Sequence, residues 1–280
     1  MSLLEIKNLN LTYPNGKKIF ENAEITLRPG ESQALWSPNG TGKTSLFRVV
    51  TGLLKPQTAD IFLEDKAVKD EADFKALRLK VGFVLQHPDD QLFFPQVIDD
   101  VAFGPLNQGL SEEEARKVSK EALSTLGILE LKDALSYELS GGQKKLVTLA
   151  CILSMKPQIL LLDEPTNGLD VDSKQRLIEV INKINAAKIV ISHDPEMLSS
   201  TCTKFSTIRN CRIESIAKPE MHEHWHTHFY GGVPHTHHES TKCKVLPPLL
   251  GRSKVCMKRL WHKMESIEEL RKLTNDRAQD

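Results

Sequence analysis

No apolar run in this 280-residue chain approaches the ~20 residues that a membrane-spanning helix needs, which excludes an integral membrane protein. The first ten residues, MSLLEIKNLN, alternate like a strand and lack the basic and apolar regions of a signal peptide, so secretion is not expected. There is no CxxC pair. The five cysteines, Cys151, Cys202, Cys211, Cys243 and Cys256, are odd in number and read as free thiols in a reducing compartment. An excess of one charge is also missing. The 37 Lys and Arg balance the 37 Asp and Glu, which argues against a broad nucleic-acid-binding face. No internal repeat is present. What remains is an ordinary globular composition, 40% hydrophobic and 26% charged. At about 150 residues per domain, the length allows one large domain or two smaller ones. A chain of this size buries roughly 75% of its unfolded surface and needs neither disulfides nor metal to fold.

The composition divides near residue 217. Before it, strand-like runs at 32–36, 81–85, 159–163 and 188–192 are separated by helical stretches, amphipathic at 112–126, 143–154 and 173–185. This pattern predicts an α/β fold with a largely parallel sheet covered on both faces. Residues 4–13 and 23–27 predict an additional antiparallel element. After residue 217 the chain has 11 basic against 8 acidic residues, and before it 26 against 29. Seven of the ten histidines fall between His222 and His238. Residues 242–263 carry seven basic residues and no acidic one, interleaved with Leu249, Leu250, Met257, Leu260 and Trp261. That mixture suits anionic lipid, but Pro247, Pro248 and Gly251 break a long amphipathic helix, so a solvated linker is an equal reading. A short helix with Ser266 and Glu269 as a capping box follows.

Three local patterns carry chemistry. The first is Ser37-Pro38-Asn39-Gly40-Thr41-Gly42-Lys43-Thr44, between an apolar strand ending at Trp36 and a helical stretch at 45–51. A strand, a Gly-rich loop and a helix make a phosphate cradle of inward N–H groups and helix dipole. Lys43 is placed to reach the β- and γ-phosphates and the Thr44 hydroxyl to ligate Mg²⁺. Such loops usually open with Gly. If position 37 needs a positive φ, Ser37 costs on the order of 1 kcal/mol. The competing reading is a plain turn, which Pro-Asn-Gly also favours. The second pattern is Ile159-Leu160-Leu161-Leu162-Asp163-Glu164, a buried strand with two carboxylates at the end where α/β sheets bind ligands. Asp163 suits Mg²⁺ and Glu164 suits polarising an attacking water; a strand that merely ends in acid is the alternative. The third is Leu139-Ser140-Gly141-Gly142-Gln143. Ser140 and Gln143 make a capping box, and Gly141 and Gly142 also allow a second anion site at a helix N-terminus.

With these residues the chain resembles the ATP-binding-cassette ATPases over about residues 2–217. The ordered elements are SPNGTGKT, Gln86 after VGFVL, LSGGQ, ILLLDE, NGLD ending in Asp170, and His193 after KIVIS. The resemblance implies a P-loop, RecA-like α/β core with an antiparallel β element and a helical subdomain inserted at about 88–150. The implied domains are a 1–217 ATPase, a 218–241 His-rich segment and a 242–280 basic tail. It implies ATP as substrate and Mg²⁺ as cofactor. It gives Tyr13 the adenine stack, Lys43 and Thr44 the phosphates and Mg²⁺, and Gln86 the Mg²⁺ and the link to a membrane partner. Glu164 takes the role of catalytic base, Asp170 that of the loop crossing a dimer interface, and His193 the γ-phosphate contact that orients Glu164. In the family two cassettes pack head to tail, so each ATP lies between SPNGTGKT of one protomer and LSGGQ of the other.

A finer match, Gln86-His87-Pro88-Asp89-Asp90-Gln91-Leu92-Phe93 with Asp100-Val101-Ala102-Phe103-Gly104-Pro105, resembles the ATPase subunits of energy-coupling-factor importers, in particular the cobalt/nickel branch. The implied partners are a second cassette, identical or not, a transmembrane coupling subunit and a substrate-binding membrane subunit, with no nucleic acid. The implied location is the cytoplasmic membrane face. His222, His224, His226 and His228 alternate, so an extended chain puts all four imidazoles on one side, and His235, His237 and His238 follow. Imidazole suits Ni²⁺, Co²⁺, Zn²⁺ or Cu²⁺. The predicted function is powering uptake of a transition-metal ion, nickel or cobalt. A vitamin importer, a non-transport cassette ATPase, and a metal store or sensor carried on an ATPase are the alternatives.

Overall fold

A computed structural model describes residues 2–218. The His-rich segment, the basic stretch and the Ser266–Glu269 capping box lie outside the described residues. In chain order the elements are β1 (Leu4–Thr12), β2 (Lys18–Leu27), β3 (Ser32–Leu35), α1 (Lys43–Val50), β4 (Thr58–Leu63), β5 (Lys66–Val68), α2 (Glu71–Lys80) and β6 (Val81–Val84). Then follow α3 (Val97–Asn107), α4 (Glu112–Thr125), α5 (Gly141–Leu153), β7 (Ile159–Asp163), α6 (Val171–Lys183), β8 (Ala187–Ile191), α7 (Pro195–Thr201), β9 (Lys204–Arg209) and β10 (Arg212–Ile216). Each strand and amphipathic helix read from the sequence is present within two or three residues, except that β2 starts at Lys18, five residues earlier.

Two sheets form. An antiparallel sheet has the order β2-β1-β4-β5, and a six-stranded sheet the order β10-β9-β3-β8-β7-β6. In the larger sheet every neighbouring pair is parallel except the β9–β10 hairpin. Strand β7 shows how one sequence serves both faces. Its side chains alternate across the sheet, as strand geometry demands. Leu160 and Leu162 pack with Val101, Leu123, Val147 and Leu177, on the face covered by α3 to α7. Ile159 and Leu161 pack with Ile6, Phe20, Phe47 and Leu77, on the face covered by the antiparallel sheet, α1 and α2. All five β7 residues are buried. A continuous apolar run is therefore what this central strand requires. Among the described residues no helix is long and apolar enough to cross a membrane.

Candidate active site

The parallel strands β3, β6, β7 and β8 all end at one edge of the large sheet, and the residues that follow them meet there. They surround a cavity of about 640 Å³. Asn39, Gly40, Gly42, Lys43 and Thr44 line it from the loop after β3. Gln86 comes from the segment after β6, Asp163 and Glu164 from the end of β7, His193 from just beyond β8, and Tyr13 from the end of β1. The volume suits a nucleotide-sized ligand.

The loop after β3 takes its shape from two glycines. Gly40 has φ +76° and Gly42 φ +108°, both in the left-handed region. A Cβ on Gly42 would also collide with the Ile19 side chain. Gly42 is the N-cap of α1, so the helix N-terminus opens into the cradle. The Thr41 hydroxyl donates to the Pro38 carbonyl at 2.9 Å, closing the loop on itself. The condition for strain at Ser37 is not met, because it is not among the residues with positive φ. Its side chain is fully buried, and Oγ donates to the Ile208 carbonyl of β9 at 3.0 Å. The hydroxyl fastens the loop to a neighbouring strand, and no backbone strain results.

Lys43 is the centre of charge. Its Nζ donates to the carbonyls of Ser37 and of Pro38, the latter at 3.2 Å, and lies 3.0 Å from His193 Nε2. Burial draws its pKa down, while the Glu164 and Asp163 carboxylates draw it up. His193 Nε2 is also 2.7 Å from Asn39 Oδ1. One ring nitrogen cannot accept from the ammonium and donate to the amide oxygen at once, so the two contacts compete. An anion entering here would accept from the Lys43 ammonium. Asp163 is 2% exposed, and its Oδ2 accepts from the Thr44 hydroxyl at 2.6 Å. Burial raises its pKa, against the Thr44 hydrogen bond and the charges of Lys43, Arg48 and His87. A hydroxyl and a buried carboxylate side by side form an oxygen donor set that suits a hard dication.

Glu164 stands in a left-handed backbone conformation, φ +48°. Its Oε2 accepts from the His193 backbone N–H at 3.2 Å. Its Oε1 is buried without a hydrogen-bond partner among the described residues and lies 3.5 Å from His193 Nε2. Tyr13 is half-buried, with its hydroxyl 2.6 Å from Ser45 Oγ of α1. The remaining candidates do not reach this cavity. Ser140 and Gln143 form the expected capping box at the start of α5. Leu139 is buried and Gly141 and Gly142 open the helix. Asp170 caps α6 through Ser173, whose N–H and hydroxyl hold its carboxyl below the usual range. Three cavity or loop contacts were not legible beforehand. Lys17 donates from a β1–β2 turn to the Gly40 carbonyl at 3.0 Å, Asn167 lines the cavity, and Lys145 of α5 reaches the Glu164 loop. Among the described residues no group of three or more His, Cys, Asp or Glu side chains converges to hold a metal ion.

Residues 20–167, more than half of the chain, match the family model described as ABC transporter. This chain belongs to the ABC transporter family. As an ABC ATPase it hydrolyses ATP with Mg²⁺ as cofactor, and both groups fit the residues present. The left-handed Gly40 and Gly42 and the Lys43 ammonium make a cradle that suits phosphate, and the Thr44–Asp163 oxygen pair suits a magnesium ion. The chain is similar to the energy-coupling factor transporter ATP-binding protein EcfA of Methanosphaera stadtmanae, 41% identical over 201 residues, 70% of this chain and 72% of that protein. It is similar to the cobalt import ATP-binding protein CbiO of Rhodobacter capsulatus, 39% identical over 215 residues, 75% and 77% of the two chains. Among solved structures it resembles CbiO1 of Clostridium perfringens, described as part of the ABC transporter complex cbiONQ. The TM-score is 0.69 at 33% identity, covering 76% of this chain and 87% of that one.

Proposed function

We propose that this ABC ATPase powers import of a transition-metal ion, nickel or cobalt, as a peripheral subunit on the cytoplasmic membrane face. Its partners are a second cassette, a transmembrane coupling subunit and a substrate-binding membrane subunit. The observation that carries the cargo is the likeness to a cobalt import ATP-binding protein over three quarters of the chain. The seven histidines between His222 and His238, outside the described residues, support it as ligands for such an ion.

In the proposed site Lys43 and the N–H groups of residues 39–44 hold the ATP phosphates, and Tyr13 stacks on the adenine. Thr44, Asp163 and Gln86 would hold Mg²⁺, which supplies neutralising charge to the β- and γ-phosphates. Glu164 takes a proton from the water that attacks the γ-phosphorus as its bond to the ADP oxygen breaks. The His193 N–H orients that carboxylate and the imidazole contacts the γ-phosphate. The signature residues Leu139–Gln143 act across the dimer, which accords with their distance from the cavity of their own chain. Purification from native membranes tests this reading. An integral membrane partner should accompany the chain; ribosomes or DNA in its place would point to a cassette ATPase outside transport.

A further inference from the structure

The geometry points to Lys145 as a positioning residue for Glu164, tethering the loop that carries the catalytic base to the signature helix α5. The inference rests on the proposed role of Glu164 as base. Lys145 lies five residues beyond Ser140, so on the helix it sits about 7.5 Å from the cap. Its Nζ donates to the Glu164 carbonyl at 3.3 Å and to the Asn167 carbonyl. Both acceptors lie on the turn that follows β7, which the Asn167 N–H closes by donating to the Glu164 carbonyl at 3.1 Å.

Glu164 needs such a hold. Its φ of +48° is a conformation that non-glycine residues rarely adopt and that persists only where neighbours over-determine it. On its N-terminal side the sheet supplies the restraint, because the Glu164 N–H donates to the Ile191 carbonyl at 2.9 Å. On its C-terminal side the restraints are the Asn167 turn bond and the Lys145 ammonium. Lys145 has no carboxylate within 4 Å among the described residues, so ion pairing does not explain its placement. Burial lowers its pKa, opposed by the charge of Glu164, which places the two groups within electrostatic reach. Its neighbour Lys144 is different. It makes an ordinary surface ion pair, 2.6 Å from Asp89, whose side chain is 75% exposed. Both lysines are half-buried, and they differ in what they touch: Lys144 pairs with one exposed carboxylate, whereas Lys145 is a tether to two backbone carbonyls.

The tether has a functional reading. The N-terminus of α5 is the surface proposed to meet the nucleotide of the other protomer, and Lys145 joins the same helix to the carbonyl of the base. A shift of the signature helix is then felt at Glu164 through one side chain, and loss of that side chain frees the base to leave its attack geometry.

The experiment compares full-length wild type with Lys145→Met, Lys145→Arg, Lys144→Met and Glu164→Gln, measuring kcat, KM for ATP, equilibrium binding of a fluorescent ATP analogue, and thermal melting. Lys145→Met keeps the apolar stem and removes the donor. It should lower kcat about 10- to 100-fold, the scale expected for a misplaced reacting group, while KM and nucleotide affinity stay within about twofold. Lys145→Arg, which can still reach both carbonyls, should recover most of the loss, and Lys144→Met should turn over like wild type. If Lys145→Met does not fold, Lys145→Gln, which retains one donor group, carries the same kcat-against-KM reading. Normal kcat in the Lys145 variant, or a loss of kcat matched by equal loss of nucleotide affinity, overturns the inference. Glu164→Gln separates the two claims. An inactive Glu164→Gln beside a normal Lys145→Met sinks only the tether, whereas an active Glu164→Gln sinks the role of the base.

Discussion

At the scale of the residue, Glu164 and Ser37 carry the sharpest expectations. Glu164→Gln removes the proposed base and leaves the phosphate cradle whole. It should bind ATP normally and hydrolyse it at least ~100-fold more slowly, by steady-state turnover against nucleotide titration. Ser37→Ala deletes the buried bond to Ile208 and strands that carbonyl. It should cost about 1 kcal/mol or more, a fall in melting temperature of at least ~2 °C, with ATP affinity unchanged within about twofold. A melting temperature equal to wild type would mean that the hydroxyl is dispensable. The contrast between the two residues shows what a sequence discloses. Glu164 was legible because the ordered motifs around it resemble the ATP-binding-cassette ATPases; the apolar strand ending in acid left a plain strand end open as well. The role of Ser37 was not, because its partner is 171 residues away on β9 and no local pattern announces a pairing of that kind. The same holds for Lys17 and Lys145, whose partners are backbone carbonyls brought near by the fold.

At the scale of the element, α5 unites two functions that a single variant can part. Ser140 caps the helix, accepting from the Gln143 N–H, and is also proposed to face the phosphate of a partner protomer. Asp is as good a cap as Ser and better suited to the helix dipole, but its charge repels phosphate. Ser140→Asp should therefore melt at or above the wild-type temperature while ATP turnover falls at least ~10-fold. Normal turnover would confine Ser140 to capping. The elements themselves were largely legible in the sequence. The period of apolar residues, with the Ser140–Gln143 capping box at α5, placed α4, α5 and β7 to within two residues. The start of β2 is not legible in the sequence because Lys18, Glu21, Asn22 and Glu24 are interleaved with the buried Ile19, Phe20 and Ala23, which hides the strand period. The order of strands in the two sheets was not legible, since it depends on which distant segments pair.

At the scale of the whole molecule, the signature residues stand apart from the cavity of their own chain, and in the proposed arrangement a second copy or a related cassette supplies them. The ATPase rate should then rise more steeply than linearly with subunit concentration. A mixture of Ser140→Arg and Lys43→Ala chains should regain activity that neither has alone, because one composite site in the mixed dimer is intact. Activity strictly proportional to dilute subunit would argue against that arrangement. Deleting residues 222–238 should abolish Ni²⁺, Co²⁺ and Zn²⁺ binding by the isolated chain in calorimetry and leave basal ATP hydrolysis intact. The imidazoles ligate only when neutral, so metal affinity in the full chain should fall steeply below about pH 6. Most directly, the account is tested by uptake of radioactive nickel or cobalt into cells carrying the assembled importer with either wild-type chain or Glu164→Gln. Energy-dependent accumulation with wild type and none above background with Glu164→Gln is the predicted result. Equal accumulation with both chains, or no metal entry with wild type, would contradict it.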